Sequence, residues 1–447
     1  MIKVITYGTF DRLHYGHIRL LERAKALGDY LIVGITSEDF DKSRGKINVQ
    51  QTLMERIENV RSVGIADEII VEEYEGQKID DIRRYGIDVF TVGSDWVGKF
   101  DYLKEYCEVV YLERTEGISS SEIRATERKI RMGLIGDRNG NILTKYAREC
   151  RFVNGIELIG IAVTEEDGDC DGQIQHLKRY ESDKALIGDC DAVYIGSHPA
   201  KHKELIRKAI EQGKHVLCES PIALTEAEVQ ELFEMAEKKG VVLMDAIKTA
   251  YSMAYDRLLL IVKGGKIGKV ISIDATCTSL REIREEEVSR AWNSICGWGP
   301  TAMLPVFQIM GTAFSEARIS TFFRNEMVLY DGFTQIHFQY PNGVATIKVG
   351  DGVKSEGELV ISGTDGYIYV PAPWWKTDYF ELRYEDPTQN KRYFYQLDGE
   401  GIRYELVAFV KAIESKRNYS YISKDVSIGI ARMMEQFYER RGMNVIA

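Results

Sequence analysis

The chain reads as an α/β protein: two consecutive doubly wound modules followed by an α+β open sheet. Three observations predict this. Apolar, β-rich runs alternate with helical stretches over residues 1–125 and again over 130–250, the pattern of parallel sheets covered by helices. The string Gly8–His17, rich in glycine and histidine, falls on the first strand-to-helix turn, the place where such sheets bind anions. Late segments such as Phe333–Tyr340, Gly343–Val349 and Glu358–Ser362 alternate apolar and polar residues, as strands with one buried face do.

Composition narrows the function classes. A length of 447 residues implies about three domains. A formal net charge of -11 argues against a nucleic-acid binder but permits a local basic pocket for phosphates. The 7 cysteines show no Cys-x-x-Cys pair, so they read as reduced thiols and not as a disulfide frame or zinc site. The chain opens directly on a strand, without a leader pattern. Its apolar runs, such as Leu258–Val262, fall far short of a membrane span. A cytoplasmic protein with neither nucleic acid nor membrane as partner is expected.

In the first module, strands are expected at Ile2–Tyr7, Tyr30–Thr36, Glu68–Val71, Val89–Val92 and Glu108–Leu112, and helices at Ile18–Leu27, Leu53–Val63, Lys78–Tyr85 and Ser120–Arg128. Gly8 allows a sharp turn and Gly16 a close approach to ligand. His14 and His17 share one face of the first helical turn. Beside a helix N-terminus, two imidazoles can donate to phosphate oxygens as charge builds on them. The loop Asp41-Lys42-Ser43-Arg44-Gly45-Lys46 is basic, and Gly93-Ser94-Asp95-Trp96 follows a strand at the carboxyl edge where ligands sit. Farther on, Ser119 and Glu122 form a capping box. Its free N–H groups, the hydroxyls of Ser120 and Ser121, and the charge of Arg114 can hold phosphates.

The string Gly-x-Phe-Asp-x-x-His-x-Gly-His over residues 8–17, with Arg114-Thr115-Glu116-Gly117-Ile118-Ser119-Ser120-Ser121, resembles the HxGH nucleotidyltransferases, and most closely the glycerol-3-phosphate cytidylyltransferases. The likeness covers about residues 1–125, and Lys99-Phe100-Asp101 follows the family as well. It implies that His14, His17, Lys46 and Arg114 stabilise charge in catalysis. Thr9, Phe10, Asp11, Arg44 and Arg56 would line nucleotide and substrate, together with Thr115, Ser119, Ser120 and Ser121. Asp11 and Asp95 would stand on the Mg²⁺ side, since hard oxygen ligands suit that ion. The implied reaction joins CTP to a small polyol phosphate, most closely glycerol 3-phosphate, releasing pyrophosphate. CDP-glycerol for teichoic-acid or capsular polymers would result. Adenylyltransferases share the histidine motif, and the arginine-led string favours cytidylyl transfer.

A charged stretch, Glu122–Lys129, leads straight into a new strand, Ile130–Ile135, and sets a boundary near Lys129. Three domains follow: 1–129, 130–250 and 251–447. Asp191–Ile195, His202 and Gly213–Glu219 give the middle domain a resemblance to the Rossmann half of the Gfo/Idh/MocA oxidoreductases. Residues 251–447 would then be that family's open-sheet domain, closed by helices at Arg403–Ser415 and Ile422–Tyr438. Departures accumulate here. The dinucleotide fingerprint keeps Gly136 but has Arg138 at its second glycine and Asn141 at its third. Val163 ends the next strand where a ribose-binding acid is expected, with Glu165 close behind. The family's Glu-Lys-Pro reads Glu219-Ser220-Pro221, and Met303 and Phe307 stand in for its Asp and His. Lys248 is the one candidate replacement. The expectation is therefore a non-catalytic module serving binding or homodimer assembly, with NAD(P), held by Gly136 and Arg138, in doubt. The alternative is a bifunctional enzyme whose second module reduces a keto-phosphate with NAD(P)H and supplies the polyol phosphate. The stretch Asp167–Gly172 imitates a calcium loop, but Lys178 stands where its bidentate glutamate belongs.

Overall fold

The computed structural model describes every residue except 38–39, 41–48, 50, 75, 114–128, 138–141, 154, 164–176, 282–287, 289–290, 396, 416–419 and 447. The chain forms two compact units, Met1–Arg128 and Lys129–Ala447.

The first unit is a parallel five-stranded sheet of order β3-β2-β1-β4-β5. Its strands are β1 (Lys3–Gly8), β2 (Tyr30–Thr36), β3 (Glu68–Glu72), β4 (Val89–Gly93) and β5 (Glu108–Leu112). Both faces are covered: Val4, Leu31, Val33 and Ile35 pack with Leu21, Ala24, Ile57 and Val60 on one side. Ile5, Ile32, Phe90 and Val92 pack with Ile82 and Leu103 on the other. This double burial is why the strands read as continuous apolar runs. The helices are α1 (Tyr15–Lys25), α2 (Leu53–Val63) and α3 (Gln77–Tyr85). The order reverses between β1 and β4, so the turn after β1 lies at the sheet's switch point. Helix α1 begins at Tyr15, three residues before the expected Ile18, because His14 caps it. The helix expected over Ser120–Arg128 lies outside the described residues.

The second unit holds two sheets. The first has order β10-β9-β8-β6-β7, from β6 (Ile130–Gly136), β7 (Ile156–Val163), β8 (Ala192–Gly196), β9 (His215–Glu219) and β10 (Leu243–Ala246). Helices α4 (Ile142–Cys150), α5 (Asp183–Asp189), α6 (Pro199–Glu211) and α7 (Glu226–Lys239) alternate with these strands. After α8 (Met253–Lys263) comes an open nine-stranded sheet. It runs through β11 (Val270–Thr278), β12 (Glu316–Asn325), β13 (Tyr330–Tyr340), β14 (Gly343–Gly350), β15 (Leu359–Gly363), β16 (Tyr367–Val370), β17 (Tyr379–Arg383), β18 (Lys391–Phe394) and β19 (Met443–Val445). Helix α9 (Ser294–Met310) packs on β11, β13 and β14. The closing helices are α10 (Ile402–Ser415) and α11 (Lys424–Tyr438). Ala431 of α11 belongs to the core of the first of these sheets, and Ser427 Oγ donates to Asp245 Oδ2 at 2.7 Å. The division at residue 250 is thus one of sequence, and the end of the chain returns to stabilise the Rossmann half.

Candidate active sites

In the first unit the motif is built from the turn upward. Phe10 and Arg12 both take positive φ, 51° and 49°, a conformation costly for residues with a Cβ and held only where surroundings enforce it. Phe10 is buried, and a Cβ on Gly8 would lie 2.9 Å from its ring. Gly8 is therefore needed for Phe10's close approach; its own φ is not left-handed. Arg56, fully buried, holds the turn from beneath. Its Nη1 donates to the carbonyls of Thr9 and Thr36, both at 2.8 Å, and its Nε to Gln51 O at 3.2 Å. Gln51, which sequence reasoning missed, closes the other side. Its N–H donates to Asp11 Oδ1 at 2.9 Å, and its Oε1 accepts from the Arg12 N–H at 2.7 Å. The available signal was its place directly before the capping box of α2, where Thr52 and Glu55 bond reciprocally.

The two histidines meet on this platform. His14 Nδ1 accepts the Gly16 N–H at 3.1 Å, so a proton on the neutral ring sits on Nε2. The His14 and His17 rings stack at 3.9 Å, and His17 stands edge-on to Phe10 at 5.4 Å. His14, His17, Thr9, Phe10, Asp11 and Arg56 are thus one assembly. Asp95 is exposed on the turn Ser94–Trp96 after β4, and Lys99 Nζ lies 5.0 Å from the Trp96 ring centre. Among the described residues no group of three His, Cys, Asp or Glu side chains could hold a metal by itself. Arg44, Lys46, Arg114, Thr115, Ser119, Ser120 and Ser121 lie outside the described residues.

In the second unit the carboxyl ends of β6, β8 and β9 open onto a cavity of about 320 Å³. Asp137, Ile142, Gly196 and Glu219 line it from the Rossmann half; Ser279, Arg281, Trp292, Asn293, Trp298 and Asp351 line it from the open-sheet half. A Cβ on Gly136 would lie 2.9 Å from Leu143, so this glycine serves close strand-to-helix packing. Asp137 accepts from Lys201 at 3.0 Å and from the backbone N–H of His198, at the start of α6. Val163 ends β7, as expected. Arg138, Asn141 and Glu165, with the Asp167–Gly172 turn, lie outside the described residues. Gly136 and Gly196 let the strand ends pack closely, since a Cβ at either would meet Leu143 or Tyr194, and Trp292 and Trp298 stand on the opposite wall. The described residues fit the nicotinamide end of a dinucleotide cofactor.

The expected substitutes for family residues occupy varied places. Ser220, in a cis Ser220–Pro221 peptide, is buried. Met303 and Phe307 are core residues of α9. Lys248 is engaged: its Nζ lies 2.7 Å from Glu400 Oε2, a carboxylate that also takes Lys145 at 2.9 Å and Lys376 at 2.8 Å. Buried His202 has its ring nitrogens 2.8 and 2.6 Å from the carbonyls of Pro221 and Ser197, so it clasps two strand-end loops together. Missed entirely was a buried network behind Glu219. The Tyr194 hydroxyl donates to Glu219 Oε1 at 2.7 Å, and the Tyr146 hydroxyl shares its one proton between Glu405, the nearer acceptor, and Glu219 Oε1 at 3.3 Å.

Comparison with known proteins places both units. Residues 5–126 match the cytidylyltransferase-like family model, and residues 130–246 match the NAD-binding Rossmann fold of the oxidoreductase family. The glycerol-3-phosphate cytidylyltransferase of Bacillus spizizenii is 52% identical over 124 residues, 28% of this chain and 95% of that protein. The trans-1,2-dihydrobenzene-1,2-diol dehydrogenase of Oryctolagus cuniculus is 27% identical over 239 residues, 51% of this chain and 72% of that protein. A crystal structure of a 3-ketoreductase from Actinomadura kijaniata, in complex with NADP and TDP-benzene, shares the fold with a TM-score of 0.60 and 18% identity, covering 71% of this chain and 99% of that one. These matches overturn the expectation of a non-catalytic second module with NAD(P) in doubt. The fold is that of NADP-holding reductases over nearly their whole length, and lost family residues do not remove the cleft.

Proposed function

We propose, from the premise that this chain belongs through its first unit to the glycerol-3-phosphate cytidylyltransferase family, that it makes a CDP-polyol in that unit and the polyol phosphate itself in the second. The observation that carries the first half is the stacked His14–His17 pair at the N-terminus of α1, on the sheet's switch point. A phosphate oxygen of the polyol phosphate attacks the α-phosphorus of CTP; the new P–O bond forms as the bond to the β-phosphate breaks, and pyrophosphate leaves. The protein's work is positioning and charge neutralisation. The Nε2–H of His14, fixed by its Nδ1 cap, and the His17 ring beside it donate to the charged phosphates. Lys46, Arg44 and Arg114 add cations, and Ser119, Ser120, Ser121 and Thr115 bind nucleotide phosphate. Asp11 and Asp95 would hold Mg²⁺, which draws charge from the triphosphate.

For the second unit, the carrying observation is the cleft between the strand ends at Asp137, Gly196 and Glu219 and the Trp292–Trp298 wall. A reduced nicotinamide cofactor supplies hydride there. Arg281, at the rim, meets the phosphate of a keto-phosphate, and the two tryptophans exclude water from its carbon chain. The product alcohol is a polyol phosphate, the acceptor that the first unit requires. CDP-glycerol or a longer CDP-polyol then serves a polymer such as teichoic acid or capsule, with both steps run in the cytoplasm. The test is to follow pyrophosphate release from CTP against a panel of polyol phosphates, and NADPH oxidation against the matching keto-phosphates. The reading stands if one polyol phosphate is preferred as acceptor and its ketone as oxidant. It falls if no pair matches.

A further inference from the structure

Reduction of a ketone needs a proton for the developing alkoxide, and the family's usual donors are absent here: Ser220 is buried, Phe307 is a core residue, and Lys248 is bound to Glu400. Of the carboxylates lining the cavity, Asp137, Glu219 and Asp351, Glu219 is the one that adjoins Ser220, where the family's lysine would stand. Glu219, the last residue of β9, lines the cavity. Both tyrosine hydroxyls converge on its Oε1, from Tyr194 of β8 and Tyr146 of α4, and their rings stack at 3.6 Å. Oε2 takes no bond from either tyrosine. Behind lies Glu405 of α10, fully buried, with Oε1 taking the Tyr146 hydroxyl and Oε2 without a partner among the described residues. A carboxylate oxygen buried and unpaired is costly, and a proton on it removes most of that cost.

We propose that Glu219 donates the proton in this cleft, with Tyr194 and Tyr146 as positioning residues that turn its Oε2–H toward the substrate carbonyl. The proposal rests on the reductase reading of the second unit. The carbonyl carbon gains hydride from the reduced nicotinamide, which is oxidised. The carbonyl oxygen gains the Glu219 proton, and the carboxylate left behind is reprotonated by water from the open cleft. Burial pushes the Glu219 carboxyl above its ordinary range, against the pull of the Tyr194 hydrogen bond, the Lys248 charge and the Tyr146 bond. Burial pushes Glu405 up as well, and the charge of Glu219 adds to this. Asp245 of β10, itself pushed up to about 7 by burial, also feels the Glu219 charge, as does the buried Cys218 thiol. A carboxyl that holds its proton more tightly than usual suits a donor.

The test uses the full chain and Glu219→Gln, which keeps shape and both tyrosine contacts. Difference infrared spectra of wild type minus variant at pH 7 should show one protonated carboxyl band that shifts in D₂O. NADPH affinity, by fluorescence titration, should stay within about threefold, while kcat for keto-phosphate reduction falls about 10²–10⁴-fold. Tyr194→Phe should move the infrared band and lower kcat less. Absence of the protonated band overturns the proposal, as does a variant that keeps more than a tenth of wild-type kcat or loses NADPH binding in parallel. If Glu219→Gln fails to fold, the band's shift in Tyr194→Phe decides alone: an unmoved band overturns the assignment. A wild type that binds NADPH but reduces no ketone sinks the reductase reading, and the infrared result still reports separately where the Glu219 proton resides.

Discussion

Arg56 offers the sharpest test of how the nucleotidyltransferase motif is held. Resemblance assigns it to substrate and nucleotide, yet the structure buries it fully and gives its guanidinium three backbone carbonyls, Thr9, Thr36 and Gln51. Replace it with methionine, which fills the aliphatic volume and supplies no donors. Each hydrogen bond from a charged group is worth about 1.5–3 kcal/mol, and the carbonyls left unpaired carry their own desolvation penalty. These terms do not add fully, because the loop relaxes and water enters, so a loss of about 3 kcal/mol is expected. At about 1.4 kcal/mol per decade, that speeds amide exchange in the first unit about a hundredfold. Hydrogen–deuterium exchange of peptides spanning β1 and β2 in the intact chain reads this, with the second unit's peptides as internal control. Arg56→Lys should recover little, since an ammonium cannot span three carbonyls. The reasoning fails if Arg56→Met exchanges within threefold of wild type while KM for the polyol phosphate rises tenfold or more, for then the side chain serves ligand and not the turn.

Further outcomes are expected. His17→Ala should lower cytidylyl transfer about 10²–10³-fold with little change in melting; His14→Ala should lose activity similarly but also about 1 kcal/mol of stability, because His14 caps α1, and His14→Asn should restore the stability alone. Steady-state rates should show CTP preferred over ATP and complete loss of turnover in EDTA; equal use of ATP, or full rate in EDTA, contradicts the reading. Burial pushes Asp331 up to about 7 from an unfolded value of about 3.9; its contribution to stability is complete below about pH 4 and lost as pH rises through about 7. The second unit's melting temperature should therefore drop between pH 5 and pH 8 more in wild type than in Asp331→Asn, and equal slopes by calorimetry would contradict the assignment.

The parallel strands of both α/β sheets were legible because each is buried on two faces and reads as an unbroken apolar run; β2, β5 and α2 have the expected bounds. Helix α1 was misplaced at its start because its cap is a histidine, outside the usual Ser, Thr, Asp and Asn set. The histidine pair was legible as a motif, and its placement at the switch point followed from strand order. Gln51 and Arg56 were not legible in their structural roles. Both act on backbone groups distant in sequence, and backbone hydrogen bonds leave no pattern of residue types. The Glu219 network was hidden for a related reason: Tyr146, Tyr194, Glu219 and Glu405 come from four elements, and Glu405 lies on a helix returning from the end of the chain.

Possession of particular residue types does not by itself decide whether the second unit is competent. What a reductase cleft supplies is more general: a strand-end edge open to a flat cofactor, a wall that excludes water, and one proton placed at the carbonyl oxygen. On the proposed reading, the strand ends at Asp137 and Gly196 and the Trp292–Trp298 wall would supply the first two without any of the substituted positions. The third is a matter of pKa, which environment sets as much as residue type. A lysine donor must be brought down from about 10.4 toward neutrality, whereas a glutamic acid must be brought up from about 4.3; burial does either, and the apolar setting of this cleft favours both neutral forms. Exchange of the usual lysine for Ser220 and recruitment of the adjacent Glu219 are then two parts of one change. The tyrosine pair behind Glu219 holds its carboxyl in place, and burial raises its pKa against the charge of Lys248. On the reductase reading proposed above, the chain would carry polyol-phosphate synthesis beside the unit that consumes the product.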